Sequence, residues 1–136
     1  MARDEPELKL EHQDSRGQIY SIQLPGDREV MLLQSKQGSL RGGHAHDVDE
    51  IVVFLTGKMT YHKLKEIEAD GEWLADGEIT RDMKPGDVSF NPRGQFHMAE
   101  FLEDSWVLEY KLCKDKHSWK NIDFAPWRER VKANAG

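Results

Sequence analysis

The sequence predicts an all-β sandwich or barrel, and three observations carry that expectation. Short apolar runs rich in β-branched and aromatic residues follow one another from Gln18 onward, Gly and Pro punctuate them at close spacing, and no mid-chain segment sustains a helical period. At 136 residues the chain fits one domain, because a split would leave two pieces too small for good cores. Only 38% of residues are hydrophobic, but four Trp, five Phe and three Tyr add large apolar surfaces, enough for one modest core. An interface with a second copy would supplement it.

The elements follow in order. Residues 1–15 are charged and read as an N-terminal arm or edge strand. The barrel is expected over 16–115, with strands at Ile19–Leu24, Glu29–Ser35, Ile51–Thr56, Lys58–Leu64, Glu78–Met83, Val88–Asn91, Phe96–Leu102 and Trp106–Leu112. Turn signals separate them, among them Pro25-Gly26-Asp27, Gly42-Gly43, Gly57, Pro85-Gly86 and Pro92-Arg93-Gly94. The polar segment Lys65–Gly77, with Trp73 in its middle, reads as a projecting hairpin. Residues 116–136 form a tail anchored by Ser118-Trp119 and Pro126-Trp127, with a short helix starting at Asp123 or Pro126 and running through Arg128–Val131.

The formal net charge of −6 argues against a general nucleic-acid binder, which needs clustered Lys and Arg. Cys113 is the single cysteine, so no intramolecular disulfide forms, and it reads as a plain strand residue. The charged N-terminus lacks the apolar run of a signal peptide, and no stretch approaches the ~20 apolar residues of a membrane span. The expectation is a cytoplasmic protein with no membrane or nucleic-acid partner.

The chemistry sits in three histidines and a glutamate. His44 and His46 are two apart, so on a strand both imidazoles face one way. Glu50 follows closely, and a Pro92-Arg-Gly94 turn delivers His97 at the head of a later strand. Imidazole and carboxylate together suit one divalent transition metal: Fe, Mn, Ni, Co, Cu or Zn.

The stretch Gly38–Gly57 resembles the first cupin motif: Gly, five residues, His-x-His, three residues, Glu, six residues, Gly. Gly86–His97 resembles the second: Gly, five residues, Pro-x-Gly, two residues, His. The Asn often found four residues after that His is Phe101 here. The resemblance implies a double-stranded β-helix, or jelly-roll, barrel in which His44, His46, Glu50 and His97 bind the metal, and a homodimer. Coordination positions left open to water, substrate or dioxygen would make the metal catalytic.

Alternation with Glu50 inward puts Val52 and Phe54 on its face, and with His97 inward, Ala99 and Phe101. This implies a largely apolar wall with few charges, of which Phe54 and Phe101 are candidate substrate contacts. On the last strand, Trp106/Leu108/Tyr110 is the expected core face. Arg41 is a candidate for binding an anionic substrate group at the barrel mouth, and Gln95 for supporting a ligand or bound water. The order Thr60-Tyr61-His62 places either Tyr61 or His62 inward, and both are candidate catalytic proton carriers.

A further similarity, through Asp14-Ser-Arg16-Gly17 and Arg41-Gly-Gly-His44-Ala-His46, is to cupin ketoisomerases of nucleotide-linked deoxysugars, whose His pair works without metal. Glu50 and His97 depart from that pattern. The expected function is a metal-dependent cupin acting on a small polar molecule, a sugar or sugar derivative among the candidates. Isomerase and Fe-dependent oxygenase are the enzyme versions. The alternatives are a non-catalytic binder of metal or small molecule and a metal-free ketoisomerase.

Overall fold

The computed structural model describes residues 6–64 and 78–135, and the hairpin expected over 65–77 lies outside the described residues. Among the described residues, eleven strands form two antiparallel sheets. One sheet has six strands: β1 (Leu8–Asp14), β2 (Gly17–Leu24), β3 (Arg28–Ser35), β5 (Glu50–Thr56), β8 (Val88–Asn91) and β10 (Ser105–Lys111), in the order β1-β2-β3-β10-β5-β8. The other has β4 (Leu40–His46), β6 (Met59–Leu64), β7 (Glu78–Met83), β9 (His97–Phe101) and β11 (Asn121–Asp123), in the order β11-β4-β9-β6-β7. One helix, α1 (Ala125–Ala135), closes the described chain. This is the jelly-roll barrel expected, with its C-terminal helix.

The expected strands form within a residue or two of their bounds. β4 and the three-residue β11 are not among the expected strands; in β4, Arg41-Gly42-Gly43 carries little β-propensity. β1 continues the larger sheet as an edge strand against β2. The helix starts at Ala125, with Pro126 in its first turn, where a missing N–H removes no hydrogen bond.

The side chains between the sheets form one core, of Leu33, Val52, Phe54, Met59, Tyr61, Met83, Ala99, Phe101 and Val107. A second lies behind the smaller sheet, where Trp127 and Val131 of α1 pack on Ala45, Leu64, Phe96 and Met98. Phe124, just before the helix, meets Phe96 edge to face at 5.3 Å.

β10 corrects an expectation. Trp106, Leu108 and Tyr110 point outward, while Val107, Glu109 and Lys111 face the interior, opposite Phe54, Val52 and Glu50 of β5. Hydrophobicity points the other way, since Trp106, Leu108 and Tyr110 are apolar while Glu109 and Lys111 are charged. The outer partners decide: Trp106 stacks on Tyr20 at 5.9 Å. Leu10, Tyr20, Leu32, Leu108, Val53 and Val88 make one unbroken cross-strand row over the outside of all six strands. Leu10 is 47% and Val88 51% exposed at its two ends.

Candidate metal centre

Strict alternation along β4 would put Arg41 and His44 on opposite faces. The β4–β9 register breaks between them: Arg41 opposes Ala99, Gly42 opposes Met98, and His44 opposes His97. Gly43 is the extra residue of a β-bulge, which returns His44 to the inner face that Arg41 occupies. Both glycines adopt positive φ, 101° at Gly42 and 83° at Gly43. A Cβ on Gly42 would stand 2.8 Å from the His97 carbonyl oxygen, so neither backbone conformation nor space admits a side chain.

The bulge lets three strands deliver their donors to one place. One ligand-capable atom each from His44, His46 and His97 lies within 4.8 Å of the others. Glu50, fully buried at the start of β5, places Oε2 3.2 Å from His46 Nε2 and Oε1 3.4 Å from His97 Nε2. Asn91 Nδ2 donates to Glu50 Oε1 at 3.2 Å and to Tyr61 Oη at 2.7 Å, tying β8, β5 and β6 together.

The protonation states suit a cation. Burial, together with the neighbouring histidines, pushes His44 down to about 3. Burial likewise brings His97 to about 4, against the pull of Glu50. Both rings are therefore neutral at pH 7. Burial alone would raise the Glu50 carboxyl, but His46 beside it and the Lys111 ammonium outweigh that and hold it at about 2, so it is ionised. His97 Nδ1 donates to the Gln95 carbonyl at 3.2 Å, which fixes the tautomer and leaves Nε2 a bare acceptor. That nitrogen and Glu50 Oε2 are both buried without a hydrogen bond. A bare imidazole nitrogen facing a carboxylate at 3.4 Å is an arrangement that a cation between them stabilises. The donor set fits a divalent transition metal, with His44, His46, His97 and Glu50 as the residues that would hold it.

The centre opens into a cavity of about 260 Å³ between the sheets. Val52, Ala99 and Phe101 line it, on the faces that alternation gave them, with Tyr61, Leu33 and Met31. Charges line it too, namely Arg16, Arg41, Glu109 and Lys111, which corrects the expectation of a wall almost without them. Arg41 is 7% exposed and so lies inside the barrel rather than at its mouth. Its Nε donates to Ser35 Oγ at 2.7 Å and its Nη2 to the Gln34 carbonyl at 3.2 Å. Both partners are neutral, and no carboxylate pairs with it among the described residues. Burial, and next the Glu50 charge, raise Glu109 to about 7.

The other candidates stand apart from the cavity. Phe54 points inward but packs within the core. His62 faces away from the metal centre, its Nδ1 2.9 Å from Glu78 Oε1. The Gln95 side chain donates to the Leu64 carbonyl at 3.3 Å, and only its backbone oxygen reaches a candidate ligand. Of the two proton-carrier candidates, Tyr61 is the inward one, and burial raises its pKa well above the usual phenol value, keeping it protonated.

Sequence reasoning missed Asn91, Glu109, Lys111, Trp119 and Asn121. Glu109 and Lys111 were legible only by choosing the other face of β10. Asn91 carried a signal, its period-two spacing from Ser89 on a strand beginning at Val88. Trp119 covers the centre, edge-on to His46 at 5.2 Å, and its face meets Lys111 Nζ 4.2 Å from the ring centroid. β11, which pairs with β4 from Asn121 to Asp123, carries this cover into place.

No protein-family model matches the sequence, and neither does any curated protein. Solved structures match the fold. The capsular polysaccharide assembling protein CapF from Staphylococcus aureus superposes with a TM-score of 0.68 at 20% identity, over 87% of this chain and 34% of CapF. KdgF from Halomonas sp. gives 0.57 at 21% identity, over 76% of this chain and 85% of KdgF. Oxalate decarboxylase gives 0.61 at 19% identity, over 95% of this chain and 34% of that protein. The chain thus spans about a third of CapF, and these likenesses are of fold.

Proposed function

On the premise that this chain has the cupin fold, we propose that it is a metal-dependent enzyme acting on a small, anionic, sugar-derived molecule, in the manner of an isomerase. One observation carries the reading. A convergent set of imidazoles and an ionised carboxylate opens into a cavity between the sheets that also holds a buried arginine without a carboxylate partner among the described residues.

The cavity of about 260 Å³ falls below the ~300–1,000 Å³ of pockets for drug-sized ligands, which favours a compact substrate. Arg41 would take its anionic group, since a buried guanidinium with only neutral partners favours an added negative charge. A bound metal would supply Lewis-acid polarisation of a substrate oxygen. Tyr61, kept protonated, would donate a hydrogen bond to the same region, and Glu109, with a pKa near neutrality, would carry the proton. Trp119, whose ring meets that of His46 at 5.2 Å, would shield that side of the centre from water. The likeness in fold to CapF, a capsular polysaccharide assembling protein, supports a carbohydrate-related substrate.

The apolar row across the outer sheet supports a homodimer, with a second copy covering Leu108 and Val53. Sedimentation of the wild type and of Leu108→Lys tests it, and a wild-type monomer removes the idea.

Elemental analysis of protein purified without chelator or His-tag column, beside His97→Ala, tests the centre. One equivalent of transition metal in the wild type and its loss in the variant are expected. Equal metal in both defeats the four-donor site. Turnover of acidic sugars by the metal-loaded wild type, lost in Glu109→Gln at unchanged metal content, is the enzymatic expectation. Tight binding with no turnover in any metal form points to the non-catalytic binder.

A further inference from the structure

Glu50 has a second suitor. Lys111 Nζ stands 3.3 Å from Oε2, the oxygen that also faces His46. The ammonium is held in place: its side chain is 11% exposed, and the Trp119 ring lies over it at 4.2 Å. β10 fixes the approach, since Lys111 opposes Glu50 directly in the β10–β5 register. A fully buried carboxylate without a counter-charge is strongly destabilising, and Lys111 is the lysine beside this one. A divalent ion among His44, His46 and His97 would share Glu50 with that ammonium at close range, where like charges repel strongly in a poorly screened interior.

We propose that Lys111 is a built-in competitor of the metal for Glu50, a positioning residue that weakens and so sets metal affinity while keeping the metal-free barrel folded. This rests on the metal-centre reading above. Lys111 acts through the carboxylate and need not touch substrate. The metal-free state then has a stable charge arrangement of its own, Glu50 with Lys111, and the loaded state exchanges part of that pairing for the metal.

The test compares wild type, Lys111→Met and Lys111→Arg for Mn2+ affinity, read from loss of the free-ion EPR signal. Urea unfolding of the chelated proteins is the second readout. Lys111→Met is expected to bind Mn2+ at least about tenfold more tightly than wild type. Its chelated form should unfold at lower urea, and adding Glu50→Gln should restore part of that loss, because no buried charge then lacks a partner. Lys111→Arg should stay near wild type in both readouts. If Lys111→Met does not fold without metal, Lys111→Gln carries the same comparison. Mn2+ binding that His97→Ala abolishes but neither neutral Lys111 variant tightens overturns the proposal and leaves the metal centre standing. A wild type that binds no Mn2+, Zn2+ or Ni2+ overturns both.

Discussion

His44 and His97 are direct cross-strand neighbours on β4 and β9, their rings edge to face with centroids 5.1 Å apart. Protonating both would place two like charges side by side inside the barrel. Their pKa values, about 3 and about 4, lie below the unfolded value of 6.5, so the unfolded chain binds more protons between those limits. The neutral rings therefore favour the fold fully above pH 6.5, and that contribution is lost as pH falls toward 4 and 3. Chelated protein is expected to lose on the order of 1–3 kcal/mol of stability between pH 7 and pH 4, by urea unfolding. His44→Gln should flatten the decline, and an identical slope in that variant counts against the assignment.

Glu109 works in the opposite direction. Its folded pKa of about 7 lies above the unfolded 4.5, so its contribution is present below pH 4.5 and lost as pH rises through 7. Glu109→Gln should then gain stability over wild type at pH 8 and not at pH 4. Parallel pH profiles for the two proteins would refute a raised carboxyl.

The bulge at Gly43 gives a prediction about assembly of the centre. A Cβ there meets the Arg128 Cβ at 2.8 Å, on a backbone at φ 83°. Gly43→Ala is expected to cost about 1–3 kcal/mol in stability and to weaken metal binding, because either relief, moving α1 or the bulge, displaces His44. Calorimetric titration with Zn2+ reads the second effect. Unchanged affinity would show that His44 tolerates the shift.

Trp127 is fully buried against Ala45 and Met98, behind the strand that carries His44 and His46. Trp127→Ala is expected to destabilise by about 3–5 kcal/mol and to free α1. Faster amide exchange confined at first to α1 and β4 is the signature. Uniform loss of protection over the barrel would show instead that the two cores unfold together.

The four candidate donors were legible as a set through the resemblance of Gly38–Gly57 and Gly86–His97 to two cupin motifs, while local rules gave only the shared face of His44 and His46 and the Pro92–Gly94 turn before His97. What lay beyond the sequence was set by packing between strands far apart in the chain. The apolar face of β10, Trp106, Leu108 and Tyr110, read as the core face, and the inward direction of Glu109 and Lys111 is set instead by Tyr20, Leu32 and Val53 packed outside. Trp119 appeared only as an anchor, because its place over His46 depends on β11 pairing with β4. Tyr61 or His62 inward was an even choice until Ala99 was seen opposite Tyr61.

The route by which the donors meet also sets when they meet. β4 pairs with β9 and β5 with β10 and β8, so His44 and Glu50 reach His97 only after segments some fifty residues apart have closed large loops. Loop closure of that kind is slow and comes before the contacts that reward it. In the nascent or denatured chain, His44, His46 and Glu50 are a short, loose chelate; the completed centre belongs to the closed barrel. Acquisition of the ion thus reports the last stage of folding, and an excess of free cation offered earlier would meet only the partial, weaker site.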